Sequence, residues 1–251
     1  MATTPRAQRV QQRKSARRMA AERQARRQRV IRWGSVLGVV LVLVLAGSWL
    51  VRALDDDGGR VSGSAMYEGV TQNGMVLGDP DAPVTLVEYA DYLCPHCAEF
   101  ALNDQAKLIE DFVKTGKVKY EYRPMPILGG GVTDPDNMAV KFAEASMCAL
   151  DQGRFWEFHD LAFVPAAEGQ RDNISEAYLK KIAGQVGLDE DVFATCLQEG
   201  THRQAVIDSY NSGMAQGVSG VPAFFLNGQM VPWTAAGYDA FAAQLNRMLG
   251  E

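Results

Sequence analysis

Cys94-Pro95-His96-Cys97 holds the residues whose types and spacing most directly suggest chemistry. Two cysteines with two residues between them can close into a disulfide and reopen by exchange with another thiol. The stretch follows an apolar, β-branched run, Val84-Thr85-Leu86-Val87-Glu88-Tyr89, and opens a helix-like segment, Ala98-Glu99-Phe100-Ala101-Leu102. The first turn of a helix presents unpaired backbone N–H groups and the positive end of the helix dipole, so a sulfur placed there is favoured as thiolate. Cys94, at the helix entrance, is therefore the expected attacking thiolate, and Cys97, one turn inside, the resolving thiol. His96, between them, can add a donor or a positive charge, and Pro95 completes the candidate catalytic set. The competing chemistry is zinc, which needs about two more ligands at suitable spacing. Cys148 and Cys196 stand apart from each other, and His159 and His202 form no H-x-x-x-H pair, so no metal site is expected.

The elements that must position these residues come next. With 47% hydrophobic and 22% charged residues, the 251-residue chain has the composition of a globular protein. Its net charge of −5 conceals an asymmetry: residues 1–32 carry eleven Lys/Arg against the single acid Glu22, and the remainder carries fourteen basic and twenty-nine acidic residues. An acidic main domain disfavours nucleic acid as a partner. Residues 33–51, Trp33 to Val51, are uncharged and rich in Val and Leu. As a helix they would span about 28 Å, against about 30 Å for a bilayer core. Trp33 and Trp49 sit where interfacial anchors are found. A cleaved signal peptide has a shorter apolar core and a small-residue cleavage site. An uncleaved signal anchor is the expectation, with residues 1–32 as a basic cytoplasmic tail, 33–51 as the span and everything beyond exported. Residues 52–70, with Asp55-Asp56-Asp57-Gly58-Gly59, read as a flexible linker, and 71–251 as one folded domain.

Within that domain, Met75–Leu77 reads as an entry strand and Val84–Tyr89 as a buried central strand. A helix from Cys97 to about Gly116 precedes a strand over 117–125. Asp134 as N-cap with Pro135 in the first turn predicts the start of a helix that runs to Leu150. Arg154–Phe163, Ser175–Val186 and Asp189–Gln216 read as three further helices, with Phe155, Trp156, Phe158 and Leu161 as core positions. Val221–Val231 reads as a hairpin turning at Asn227-Gly228, and Thr234–Leu249 as a last helix. The order β–α–β, a helical block over about 130–216, then β–β–α predicts an α/β sandwich with a helical insertion. Gly129-Gly130-Gly131 lacks the Lys-Ser/Thr of a phosphate loop.

Two segments carry a resemblance. The first is Gly78 with Ala82-Pro83-Val84-Thr85-Leu86-Val87-Glu88-Tyr89, Asp91-Tyr92 and Cys94-Pro95-His96-Cys97; the second is Gly217-Val218, Gly220-Val221-Pro222-Ala223 and Phe225. Together they resemble the DsbA-like branch of the thioredoxin superfamily, whose fold is split by a helical insertion. The anchor and the second cysteine pair are similar to membrane-tethered members from Gram-positive and actinobacterial lineages. The resemblance implies a thioredoxin-like α/β fold with an inserted helical domain, preceded by one transmembrane helix. It implies that Cys94 is an exposed nucleophile, Cys97 its buried partner, and His96 a stabiliser of the Cys94 thiolate. Pro222 matches a cis-proline facing the dithiol, and Val221 a backbone that pairs with a substrate peptide. Glu88 matches a buried acid that relays protons to Cys97.

The implied activity is that of an extracytoplasmic oxidoreductase that donates disulfides to exported proteins with free cysteines. Its implied reoxidising partner is a membrane quinone-linked protein of the DsbB or vitamin K epoxide reductase type, and no non-protein cofactor is implied. A reductase or isomerase of the same fold, and a non-catalytic anchored peptide-binding module, are the alternatives. For Cys148 and Cys196 the residues leave three readings: a structural disulfide, the first expectation in an exported protein, two buried free thiols, or a second exchanging pair.

Overall fold

The computed structural model describes residues 63–170, 174–233 and 237–250. The chain enters through α1 (Gly63–Met66), followed by β1 (Gln72–Asn73) and β2 (Val76–Leu77), then β3 (Val84–Ala90). A long helix, α2, covers 95–113 and leads to β4 (Val118–Pro124). Five helices follow: α3 (Met138–Asp151), α4 (Phe155–Ala167), α5 (Glu176–Gln185), α6 (Glu190–Glu199) and α7 (Arg203–Ala215). The hairpin β5 (Ala223–Leu226) and β6 (Gln229–Val231) and the helix α8 (Gly237–Leu249) close the chain.

The six strands form one sheet in the order β1-β2-β4-β3-β5-β6. Only β3 and β4 are parallel, joined through α2, with Glu88 opposite Tyr122 and Leu86 opposite Tyr120. β5 lies antiparallel on the other side of β3, with Glu88 opposite Phe224. Alternation along β3 puts Val84, Leu86 and Glu88 on the face covered by α2 and α4. Val87 and Tyr89 face the other way, into a smaller cluster with Met125, Val218 and Phe225. On that side α7 lies close enough that a Cβ on Gly213 would meet Met125 Sδ at 2.6 Å and Tyr89 at 3.1 Å, so a larger residue there would have to displace the Met125 side chain. The turn of the β5–β6 hairpin uses left-handed φ at both Asn227 (49°) and Gly228 (81°), as a two-residue type I′ turn requires.

α2 contains two π-type turns. The Gln105 N–H reaches Phe100 O, and the Lys114 N–H reaches Ile109 O at 2.8 Å. Each inserts one residue and so rotates the helix face that follows by about 100°. After the first of them, Asp104 and Gln105 are buried.

The structure departs from the sequence-based expectation at five points. The domain starts before residue 71: Met66 and Val70 pack against the core, and Tyr67 is buried with its hydroxyl donating to Asp160 Oδ1 at 2.8 Å, so the segment expected as linker is folded from at least Met66, and its residues 52–62 lie outside the described ones. Asp134 does not cap α3. It closes a preceding turn, its Oδ1 accepting from Asp136 N, and Asn137 caps the helix by accepting from Ala139 N at 2.9 Å. The stretch 189–216 is two helices, because Gly200 takes a left-handed φ of 60° and ends α6. The hairpin strand begins at Ala223, after a cis Val221–Pro222 peptide bond. α4 extends past Phe163 to Ala167. The start of the last helix at 234–236, the basic tail at 1–32 and the apolar span at 33–51 lie outside the described residues. Among the described residues no helix is long and apolar enough to cross a membrane.

Candidate active site

β3 ends at Ala90, and the chain turns through Asp91-Tyr92-Leu93 into α2. Asp91 shapes this turn. Its buried carboxylate accepts from Leu93 N at 2.8 Å and, across the sheet end, from Ile127 N at 2.8 Å and Leu128 N at 2.9 Å. Its carbonyl accepts from Cys94 N at 2.9 Å. One side chain thus fixes both the entrance to α2 and the loop that follows β4. Cys94 takes the N-cap position with extended backbone (φ −85°, ψ 120°), and Pro95 follows in the first turn, where a missing N–H costs no helical bond.

Both cysteines of the pair are free thiols. The Cys94 sulfur receives hydrogen bonds from the Cys97 thiol and from the backbone N–H groups of Cys97 and His96. These donors outweigh burial and the Asp91 charge, and lower the Cys94 thiol to about 6. Cys97 is fully buried, and burial, with the Cys94 sulfur and Glu88 alongside it, pushes its thiol well up. The two sulfurs therefore differ in kind: one is readily ionised, the other holds its proton, and Cys94, expected to be exposed, is 6% exposed with the Val221 carbonyl against its sulfur.

His96 contributes differently from what its type suggests. Its imidazole is 74% exposed and pairs with Glu99 at 3.5 Å. The backbone N–H, not the ring, is what reaches Cys94. Any residue that keeps the first turn helical supplies that donor.

Across the cleft, the carbonyl oxygen of Val221 lies 3.5 Å from Cys94 Sγ, and Pro222 follows it in cis. Beneath the pair, Glu88 is buried on β3 and accepts from the Tyr120 hydroxyl through Oε2. Its Oε1 has no partner among the described residues. Burial raises the Glu88 carboxyl to about 8, against the pull of the Tyr120 hydrogen bond.

The fold thus brings Cys94, Cys97, Pro95, Val221, Pro222 and Glu88 together, with the His96 ring turned away. Cys148 on α3 and Cys196 on α6 lie apart from them and form a disulfide with an S–S distance of 2.01 Å. His202 comes close to that pair, its ligand atom within 4.8 Å of both sulfurs, a proximity that spacing along the chain does not show. With both sulfurs bonded to each other, the three do not make a metal site. The sequence reading missed Asp91, Tyr67, Gln105, Tyr120 and Asp160. A signal existed for two of them. Gln105 occupies the core stripe Ala101, Gln105, Leu108, Phe112, where an apolar residue is the rule. Asp160 sits with His159 between the apolar residues Phe158 and Leu161 of a core helix.

Comparison with known proteins follows the same lines. A family model described as Thioredoxin matches residues 70–247. The Na(+)/H(+) antiporter NhaA 3 of Salinispora tropica is 35% identical over 156 residues, which are 61% of this chain and 22% of that protein. The chain thus spans about a fifth of the length of the antiporters it matches. A probable disulfide bond formation protein D of Bacillus anthracis is 27% identical over 77% of this chain and 88% of its own. Among solved structures, oxidised BdbD of Bacillus subtilis superposes with a TM-score of 0.61 at 23% identity, covering 74% of this chain and 95% of that one. Alpha-DsbA1 of Wolbachia pipientis gives 0.60 at 24% identity, over 72% and 92%. Matched by the family model over most of its length, the chain belongs to the thioredoxin family, and its fold is that of these structures.

Proposed function

We propose that the chain is a thiol–disulfide oxidoreductase that introduces disulfides into exported proteins through Cys94-Pro95-His96-Cys97. The observation that carries this reading is the Cys94 sulfur at a helix entrance, lowered to about 6 and set opposite the Val221 carbonyl. A low thiol pKa makes Cys94 a good leaving group and stabilises the reduced enzyme, which makes the couple oxidising.

In the reaction, a substrate thiolate attacks Cys94 Sγ of the closed Cys94–Cys97 disulfide. The S–S bond breaks, and Cys97 leaves with the electron pair. Glu88, protonated near neutrality, gives Cys97 its proton. The substrate is now joined to Cys94. Its second thiolate attacks its own bonded sulfur and expels Cys94 as thiolate, which the two backbone N–H groups and the Cys97 thiol stabilise. The substrate gains a disulfide, and the enzyme keeps two electrons as a dithiol. The backbone at Val221 pairs with the extended substrate peptide.

Reoxidation falls to a membrane quinone-linked partner of the DsbB or vitamin K epoxide reductase type. Residues 33–51 anchor the chain, residues 1–32 stay in the cytoplasm, and the dithiol domain works outside it. The names of relatives such as disulfide bond formation protein D support the direction of transfer. The test is the reduction potential of Cys94–Cys97 in the full chain, equilibrated against glutathione. A value near the −120 mV scale of strong oxidants, roughly, supports the oxidase. A value near roughly −270 mV would replace it with a reductase.

A further inference from the structure

A line of buried polar side chains runs away from Glu88 and takes no part in the steps above. The Tyr120 hydroxyl donates to Glu88 Oε2 and also lies 3.5 Å from Gln105 Oε1. Gln105 Nε2 donates to the Tyr67 hydroxyl oxygen at 2.8 Å and lies 3.4 Å from Asp160 Oδ1. The Tyr67 hydroxyl donates to the same Asp160 oxygen at 2.8 Å. His159 Nε2 lies 3.3 Å from Gln105 Oε1. The line ends in a second buried acid, and at both ends one carboxyl oxygen, Glu88 Oε1 and Asp160 Oδ2, is buried without a partner among the described residues.

Donor bookkeeping orients every member. Asp160 Oδ1 accepts from the Tyr67 hydroxyl whether the acid is ionised or carries its proton on Oδ2, so the Gln105 amide turns Nε2 toward it and Oε1 toward Tyr120 and His159. His159 is neutral, since burial drives it down to about 3, and has one N–H. Facing only an acceptor at Gln105, Nε2 carries that proton, and Nδ1 accepts from the Tyr92 hydroxyl at 3.1 Å. Tyr120 has one proton and two acceptors in reach. With Glu88 ionised, that proton goes to Oε2. With Glu88 protonated, the carboxyl donates to the Tyr120 oxygen, and the Tyr120 proton is free to turn to Gln105 Oε1.

We propose that Gln105 and Asp160 are positioning residues for the exchange reaction: Asp160 holds the Gln105 amide with its oxygen toward Tyr120, and that second acceptor stabilises the protonated form of Glu88. The inference rests on the reading of Cys94–Cys97 as an exchanging pair and of Glu88 as the proton donor to Cys97. The steps balance without a further reactant. When the disulfide opens, Cys97 takes the S–S electron pair and the Glu88 proton. The Tyr120 hydroxyl then rotates from Gln105 Oε1 to the new carboxylate and keeps its proton. Gln105 retains His159 as a donor throughout, so the line stays bonded on both sides of the step.

The surroundings agree. Glu88 faces Tyr120 and Tyr122 on β4, Cys94 and Cys97 at α2, and Tyr92 after β3. Asp160 faces Tyr67, Gln105 on α2, and Glu157 on its own helix, with Tyr92 further off. None of these is a cation at neutral pH, and burial lifts both acids to about 8. An acid with no cation beside it to hold its charge depends on where its hydrogen-bond donors point.

The test is the titration of the Glu88 carboxyl in the full chain, followed by the infrared carbonyl band of the protonated acid and assigned by its loss in Glu88→Gln. Gln105→Met and Asp160→Leu are expected to lower the midpoint by about one pH unit or more, tenfold in proton affinity. Asp160→Asn keeps an accepting oxygen and is expected to retain the wild-type midpoint. An unchanged midpoint in Gln105→Met overturns the proposal. A fall in Asp160→Asn as large as in Asp160→Leu overturns the orienting role of Asp160 and makes its effect one of charge. If either larger change prevents folding, Tyr67→Phe removes one of the two acceptors that hold Gln105 Nε2, and an unchanged midpoint there overturns the proposal as well. The band is read without turnover, so a chain inactive in exchange still reports on the line, and failure of the exchange reading stays distinguishable.

Discussion

The sulfur of Cys94 and the carbonyl oxygen of Val221 lie 3.5 Å apart, across 127 residues of sequence. The contact serves the protonated thiol, because the carbonyl oxygen can only accept. On ionisation the sulfur has the N–H groups of His96 and Cys97 and the Cys97 thiol to turn to. In the proposed exchange, Val221 stands where an incoming peptide would bring its own sulfur.

The two cysteines have separate tasks, so their variants should fail differently. Cys94→Ala removes the attacked sulfur, and exchange with a reduced, unfolded substrate is expected to fall to the uncatalysed rate. Cys97→Ala leaves Cys94 with no partner to close on, and mixed disulfides with substrate are expected to accumulate. The rate of disulfide formation in a reduced substrate checks Cys94→Ala, and non-reducing electrophoresis after incubation with an oxidised substrate checks Cys97→Ala. Turnover in Cys94→Ala, or absence of adducts in Cys97→Ala, contradicts the assignment.

The low value of Cys94 sets the pH dependence of the couple. Below about pH 6 the reduced form carries protons on both sulfurs; above it, Cys94 is a thiolate. Two electrons then accompany two protons on the acid side and one on the other. The reduction potential should fall by about 59 mV per pH unit below the break and about 30 mV above it. A break nearer 9, the ordinary thiol value, would mean that the helix entrance does not stabilise the thiolate.

Much of the frame was legible because its signals are local. The β-branched run of β3, the C-x-x-C at a helix start and the Asn-Gly turn each declare themselves within a few residues. The end of α6 was also written locally, in Gly200, but it sits between two helical patterns that run in the same direction and reads as continuous. What sequence could not supply were facts about rotamers and distance. The His96 ring turns to Glu99 rather than Cys94, Tyr67 reaches 93 residues ahead to Asp160, and the Val221 carbonyl reaches 127 residues back to Cys94. None of these follows from periodicity, because each is decided by tertiary packing.

Glu88→Gln should separate proton supply from stability. The carboxyl rises from 4.5 to about 8 on folding, so the folded chain holds a proton that the unfolded chain releases. A raised value means that the contribution to stability is full below about 4.5 and is lost as pH climbs toward 8. The amide does not titrate, so the variant should gain stability relative to wild type across that window, by roughly a few kcal/mol. Urea denaturation of both proteins at pH 5 and pH 8 reads the difference. Exchange should slow near neutrality in the same variant, because Cys97 loses its proton donor.

The Cys148–Cys196 bond joins α3 to α6 across a sequence separation of 48 and lies apart from the dithiol. Closing a loop of that length restricts the unfolded chain by about 4 kcal/mol in the chain-entropy estimate. Replacing both cysteines by serine should lower stability by an amount of that order while leaving the Cys94–Cys97 potential where it was. Replacing Cys196 alone leaves a buried thiol on α3 and should cost about the same, since the crosslink is lost either way. Denaturant midpoints and the glutathione equilibrium, measured on the same samples, check the two halves. A shift of the potential by more than about 30 mV, tenfold in the exchange equilibrium, would show that the two sulfur pairs are coupled and that the second bond is more than a crosslink.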